Sequence, residues 1–123
     1  MVKIKILTNQ NIPNVTRLYR RIFDPILKGL DGKVHQSIWN DRLNDNGLLL
    51  GAYVHCTLVG FVLFFEKEKG TNSVHCWIAG VEETYRKKGV LKSLMRVATK
   101  KLKDRGYGAI TVTVVNRPVA KVA

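Results

Sequence analysis

The densest run of chemically capable side chains in this sequence is Arg86-Lys87-Lys88-Gly89, followed by Lys92 and preceded by Glu82 and Glu83. It falls where a strand-like stretch ends at Val81 and a helical period begins at Val90. A basic turn that opens a helix offers an anion backbone N–H groups without intrahelical partners, the positive end of the helix dipole, and cationic side chains. That is the chemistry of a phosphate or pyrophosphate seat. Arg-x-x-Gly alone also fits a solvated basic loop.

Other residues invite chemistry less strongly. Val-His-Cys occurs twice, at Val54 to Cys56 and at Val74 to Cys76, and His plus Cys are zinc ligand types. The two copies belong to different strands of an antiparallel meander, about 20 Å apart at roughly 3.3 Å per residue, which separates the ligand sets. No metal site is therefore expected, and Cys76 reads as a small buried hydrophobe. Trp77 shares a strand face with His75 and suits either a pocket wall or the core. Lys92, Arg96, Lys100 and Lys103 recur at roughly helical spacing but lack the interleaved aromatics of a base-stacking surface, so a solvated face is expected rather than a nucleic-acid interface.

The chain has 123 residues, 46% of them hydrophobic and 24% charged, which suits one domain, residues 1–123, with its own core. Its formal net charge is +12. Residues 1–83 carry ten Lys or Arg against eight Asp or Glu, whereas residues 84–123 carry eleven against Asp104 alone, so the excess lies on the turn and the C-terminal third of the chain. An anionic partner is expected: a phosphorylated cosubstrate, a nucleic acid, an acidic substrate or a membrane surface. Two cysteines make no disulfide framework and the N-terminus shows no signal peptide, so a cytoplasmic location is expected. Gly47 to Phe65 holds no charged residue over nineteen positions, close to the length of a membrane span. His55, Cys56 and Thr57 divide it into two strand-length runs, which predicts a buried hairpin instead.

These residues need elements to position them. Val2 to Leu7 alternates as a strand, and Asn11-Ile12-Pro13 opens a helix whose face is Ile12, Val15, Leu18, Ile22 and Phe23. Pro25, Gly29, Asp31 and Gly32 predict a loop, and Ile38, Trp39 and Leu43 a short helix ending at Asn46 and Gly47. Strands follow at Leu48 to His55, Leu58 to Lys67 and Ser73 to Val81. A helix built on Val90, Leu91, Leu94, Met95, Ala98 and Leu102 ends at Gly106, and a strand runs from Ala109 to Val115. Strand, long helix and strand form a right-handed crossover, which makes Ser73 to Val81 and Ala109 to Val115 parallel neighbours.

The stretch Val81-Glu82-Glu83-Thr84-Tyr85-Arg86-Lys87-Lys88-Gly89-Val90-Leu91-Lys92-Ser93-Leu94-Met95 resembles the acetyl-CoA-binding motif of the GCN5-related N-acetyltransferases, the GNAT family. Leu58-Val59-Gly60-Phe61-Val62 is similar to that family's third strand. The resemblance implies an α/β fold with a mixed sheet, the GNAT-like acyl-CoA N-acyltransferase order β-α-α-β-β-β-α-β, with the family's final helix and strands truncated. Leu91 stands where the family prefers Gly or Ala. Asn116 follows the last strand as in the family, and Ala123 falls where its thiolate-protonating Tyr is expected.

The resemblance further implies transfer of acetyl from acetyl-CoA, as cosubstrate, to a primary amine by direct attack. Cosubstrate binding is then assigned to Ala79, Val81, Arg86, Lys87, Lys88, Gly89, Val90, Leu91, Lys92 and Asn116. His75 occupies the position, six residues before Val81, of a Glu that serves some family members as general base. Glu82, with Glu83, is the alternative. The rival expectation is a truncated, non-catalytic module that holds an acyl-CoA or an acidic partner such as RNA. The strand Ala109 to Val115 carries no charge and is expected to leave an open sheet edge, which predicts either a homodimer through that edge or a fragment whose remaining helix and strands are absent.

Overall fold

A computed structural model describes residues 2–27 and 36–112. Five strands form a single mixed sheet in the order β1 (Lys3–Leu7), β2 (Leu48–Val54), β3 (Thr57–Phe65), β4 (Ser73–Val81) and β5 (Ala109–Val112). The first four pair antiparallel, and β4 pairs parallel with β5. Helices α1 (Ile12–Leu27) and α2 (Gln36–Asn44) lie on one face, and α3 (Val90–Asp104) lies on the other.

Each strand's alternation assigns its side chains to the two layers. Leu48, Leu50 and Ala52 of β2 join Val62 and Phe64 of β3 beneath Val90, Leu94, Ala98 and Leu102 of α3. Leu49, Phe61, Leu63 and Ile78 face the other way, toward Ile12, Val15, Leu18, Tyr19 and Ile22 of α1 and Trp39 of α2. A register shift in β4 between the partners of Leu63 and Phe64 puts Trp77 and Ile78 on this same side.

The uncharged stretch from Gly47 to Phe65 is the β2–β3 hairpin, not a membrane span. Its turn residues His55 and Cys56 both have positive φ, 48° and 67°, the backbone of a two-residue primed turn. Among the described residues no helix is long and apolar enough to cross a membrane. Two expectations shift. The helix α1 continues through Pro25 to Leu27, because a proline near a helix end forfeits one N–H bond while the packed turn before it holds the backbone. The strand β5 is described only to Val112, and the rest of the expected strand, with Asn116, lies outside the described residues.

Candidate functional site

The basic turn is built by the end of β4 and the start of α3. A 3-10 turn at Glu83–Tyr85 leaves β4, and the backbone then reverses with Lys87 and Gly89 both left-handed, φ 62° and 80°. Gly89 fits that geometry without a side-chain penalty, and a Cβ built there meets nothing within 4 Å, so the surface beside it is open. Gly89 is also the N-cap, and its carbonyl accepts from the Ser93 N–H at 2.9 Å. That bond is the first of the helix ladder. The N–H groups of Gly89, Val90, Leu91 and Lys92 therefore have no acceptor within the helix.

The side chains divide the work. Arg86 Nε donates to the Val81 carbonyl at 3.0 Å, so this arginine ties the turn back to the strand. Lys88 Nζ lies over the Tyr85 ring, 5.7 Å from its centroid, while Lys87, Lys88, Gly89 and Lys92 are exposed. Val90 is buried and anchors the first helical turn, and the half-buried Leu91 packs against the same core. Close approach of α3 to the sheet depends on Gly60 of β3, where a Cβ would stand 3.2 Å from Val90 Cγ1 and 3.3 Å from Leu94 Cδ1. In the sequence Gly60 stands out only through the family resemblance, though a glycine inside a strand is the usual sign of close backbone approach.

Strand pairing sets the second feature. β5 is opposite β4 from Ser73↔Ala109 to Cys76↔Val112. From Trp77 to Val81 the same edge of β4 has no partner among the described residues. Ala79 and Val81 lie on this segment, next to the basic turn.

The candidate bases separate. His75 is 7% exposed; its Nδ1 is 2.8 Å from Thr111 Oγ1, and its ring stands edge-on to Phe65. Burial, with a smaller contribution from Lys67, pulls its pKa below the ordinary histidine value, so the ring is neutral at pH 7. Glu82 lies at the other end of β4, about 20 Å away by strand rise. Its Oε1 accepts from Arg21 Nε at 3.1 Å, which ties α1 to the turn. Glu83 is exposed. Cys76 is pushed up to about 11 by burial, so it stays a thiol at neutral pH, and it pairs with Phe64, seven residues along β3 from the hairpin that carries His55 and Cys56.

A family model described as the acetyltransferase (GNAT) family matches residues 12–122. Comparison with curated proteins gives no sequence match. Among solved structures, a ribosomal-protein-alanine N-acetyltransferase from Brucella melitensis biovar Abortus 2308 is similar with a TM-score of 0.70 at 21% identity, over 100% of this chain and 88% of the other. The PaiA N-acetyltransferase from Thermoplasma acidophilum in complex with coenzyme A has a TM-score of 0.77 at 17% identity, over 95% and 81%. The AAC(6')-Iy complex with a bisubstrate analog, CoA-S-monomethyl-acetylneamine, also reaches 0.77 at 12% identity, over 98% and 84%. At these identities the likeness is one of fold.

Proposed function

The chain belongs to the GNAT acetyltransferase family, and on that premise we propose that it transfers an acetyl group from acetyl-CoA to a primary amine. The observation that carries the reading is the turn itself: four helix N–H groups without intrahelical acceptors, a left-handed Gly89 with open space beside it, and Lys87, Lys88 and Lys92 around them. That donor set fits a pyrophosphate. Acetyl-CoA supplies an acyl carbon activated as a thioester.

The protein's part is placement and proton handling. The turn holds the phosphates, with Arg86 fixing its shape from Val81. The edge of β4 at Ala79 to Val81, unpaired among the described residues, receives the extended arm as an added strand would be received, and an N–H there polarises the acyl carbonyl. The amine nitrogen bonds to the acyl carbon as the carbon–sulfur bond breaks, and the sulfur leaves as thiolate. Neutral His75, acting through water because it lies about 13 Å before Ala79 along the strand, accepts the ammonium proton. Glu82 is the alternative base, already engaged by Arg21.

The test is thiol release from acetyl-CoA against a panel of primary amines. Amine-dependent release that Gly89→Val abolishes supports the reading. CoA binding without release from any amine makes the chain a binding module instead.

A further inference from the structure

Arg42 of α2 lies on the α1/α2 side of the sheet and has no carboxylate partner among the described residues. Its guanidinium carbon lies over two rings, 4.6 Å from the centroid of Phe65 and 5.7 Å from that of Trp77. Among the described residues it makes no side-chain hydrogen bond or ion pair, and its Nε is buried without a partner. Asp45 pairs with Lys69 at 3.4 Å, and Glu66 accepts from Asn46 at 2.8 Å and from Tyr107 at 2.7 Å, so neither is given to Arg42. Asp41, the preceding residue, is exposed. A buried donor without an acceptor is destabilising, and an incoming oxyanion would offset that cost. The two rings offer the guanidinium no hydrogen-bond acceptor in its plane, and a carboxylate is the partner that suits its N–H groups.

The location gives this cation a use. With the phosphates on the turn that opens α3 and the arm along β4, as proposed above, the cosubstrate comes from the α3 side, which leaves the opposite face, the one that carries Trp77, for the amine to reach the acyl carbon. Trp77 lies two residues, about 7 Å, before Ala79. From the edge of β4 that is unpaired among the described residues, the path therefore runs past the Trp77 ring to Arg42.

Resting on that reading, we infer that Arg42, with Trp77 and Phe65 beneath it, is a specificity subsite that selects an amine substrate bearing a carboxylate. Polycationic amines are disfavoured at the same place, because the chain's net charge of +12 and the unpaired guanidinium both repel them.

The experiment titrates the full chain with 6-aminohexanoate and with its uncharged amide, with and without CoA, following tryptophan fluorescence. Trp77 is half-buried at the site and Trp39, the other tryptophan, is fully buried. The expected result is carboxylate binding at least about tenfold tighter than amide binding, a preference lost in Arg42→Gln and partly kept in Arg42→Lys, with CoA affinity unchanged in both. Equal binding of the two ligands, binding of neither, or a preference that survives Arg42→Gln overturns the inference. So does loss of CoA binding in both Arg42 variants, which would make the residue part of the scaffold. Absence of CoA binding in the wild-type chain counts against the proposed function instead, and the cofactor-free titration still decides the role of Arg42.

Discussion

The two ends of α3 have opposite treatments of the same backbone. At the C-terminal end the N–H groups of Arg105, Gly106 and Tyr107 bond back to the carbonyls of Lys101, Lys103 and Leu102. Arg105 donates to the carbonyls of Asn46 and Gly47, Gly106 takes the left-handed conformation, and the Tyr107 hydroxyl donates to Glu66, which Asn46 also holds. At the N-terminal end Gly89 caps without a side chain and leaves the N–H groups beyond it facing open surface among lysines. One end is finished by the protein's own side chains and serves stability. The other, on the function proposed above, is finished by a ligand.

The largest effect that can break this comparison is at Gly89. Gly89→Val forces a β-branched residue into positive φ and is expected to abolish the rise in Tm that CoA gives the wild-type chain, while the variant still unfolds cooperatively. A full CoA-induced shift in a folded Gly89→Val variant would show that the turn geometry is not what binds.

His75 probes whether the closed end is purely structural, since β4 begins beside the C-terminus of α3. His75→Ala is expected to lower kcat by about a hundredfold or more with CoA affinity intact. Because the ring's pKa lies below the ordinary value, the wild-type rate rises with pH below about 6.5 and is level at neutrality. The sign for stability is the same. The unfolded chain binds the proton more readily, so the folded state loses stability as pH falls below the unfolded histidine value. An equally active alanine variant returns His75 to its packing against Phe65 and Thr111.

Gly60 sharpens the comparison by acting on the open end from within the core. Gly60→Ala places a methyl at 3.2–3.3 Å from Val90 and Leu94, and is expected to weaken CoA binding severalfold by shifting the first turn of α3. Unaltered CoA affinity would show that the turn tolerates movement of its anchor.

The smallest effect belongs to Tyr107→Phe, expected to lower Tm by a few degrees and leave CoA binding unchanged. Hydrogen bonds from Tyr107 first, and then Asn46, hold the Glu66 carboxyl below its usual value, so their stabilisation is present at neutral pH and lost as pH falls through that lowered value. Tyr107 is pushed up to about 12, by burial first and then by Glu66, so the bond is also lost as pH rises from about 10 through 12. The Tm gap between wild type and Tyr107→Phe should close at both extremes. A gap that persists in strong acid would assign the effect to packing alone.

The sequence is most legible where local rules and tertiary structure agree. The strand Ser73–Val81 and the start of α3 at Val90 follow from residue alternation, helical period and Gly89, and the observed elements begin and end there. The continuation of α1 past Pro25 is hidden, because proline reads locally as a breaker while the packing of the preceding turn is a tertiary effect. Basic residues announce the turn, but not that Arg86 reaches back to Val81, which depends on a rotamer. Arg42 is invisible as a site residue: nothing in Gln36 to Asn44 says that its side chain will lie over Phe65 and Trp77, which are brought there by two other strands.

Calorimetric titration of the full chain with CoA tests the central claim most directly. The account predicts saturable binding at one site that weakens as salt is raised, and at least about a hundredfold loss of affinity in the Arg86→Glu/Lys88→Glu double variant. No binding by the wild-type chain, or the same affinity in the double variant, would contradict it.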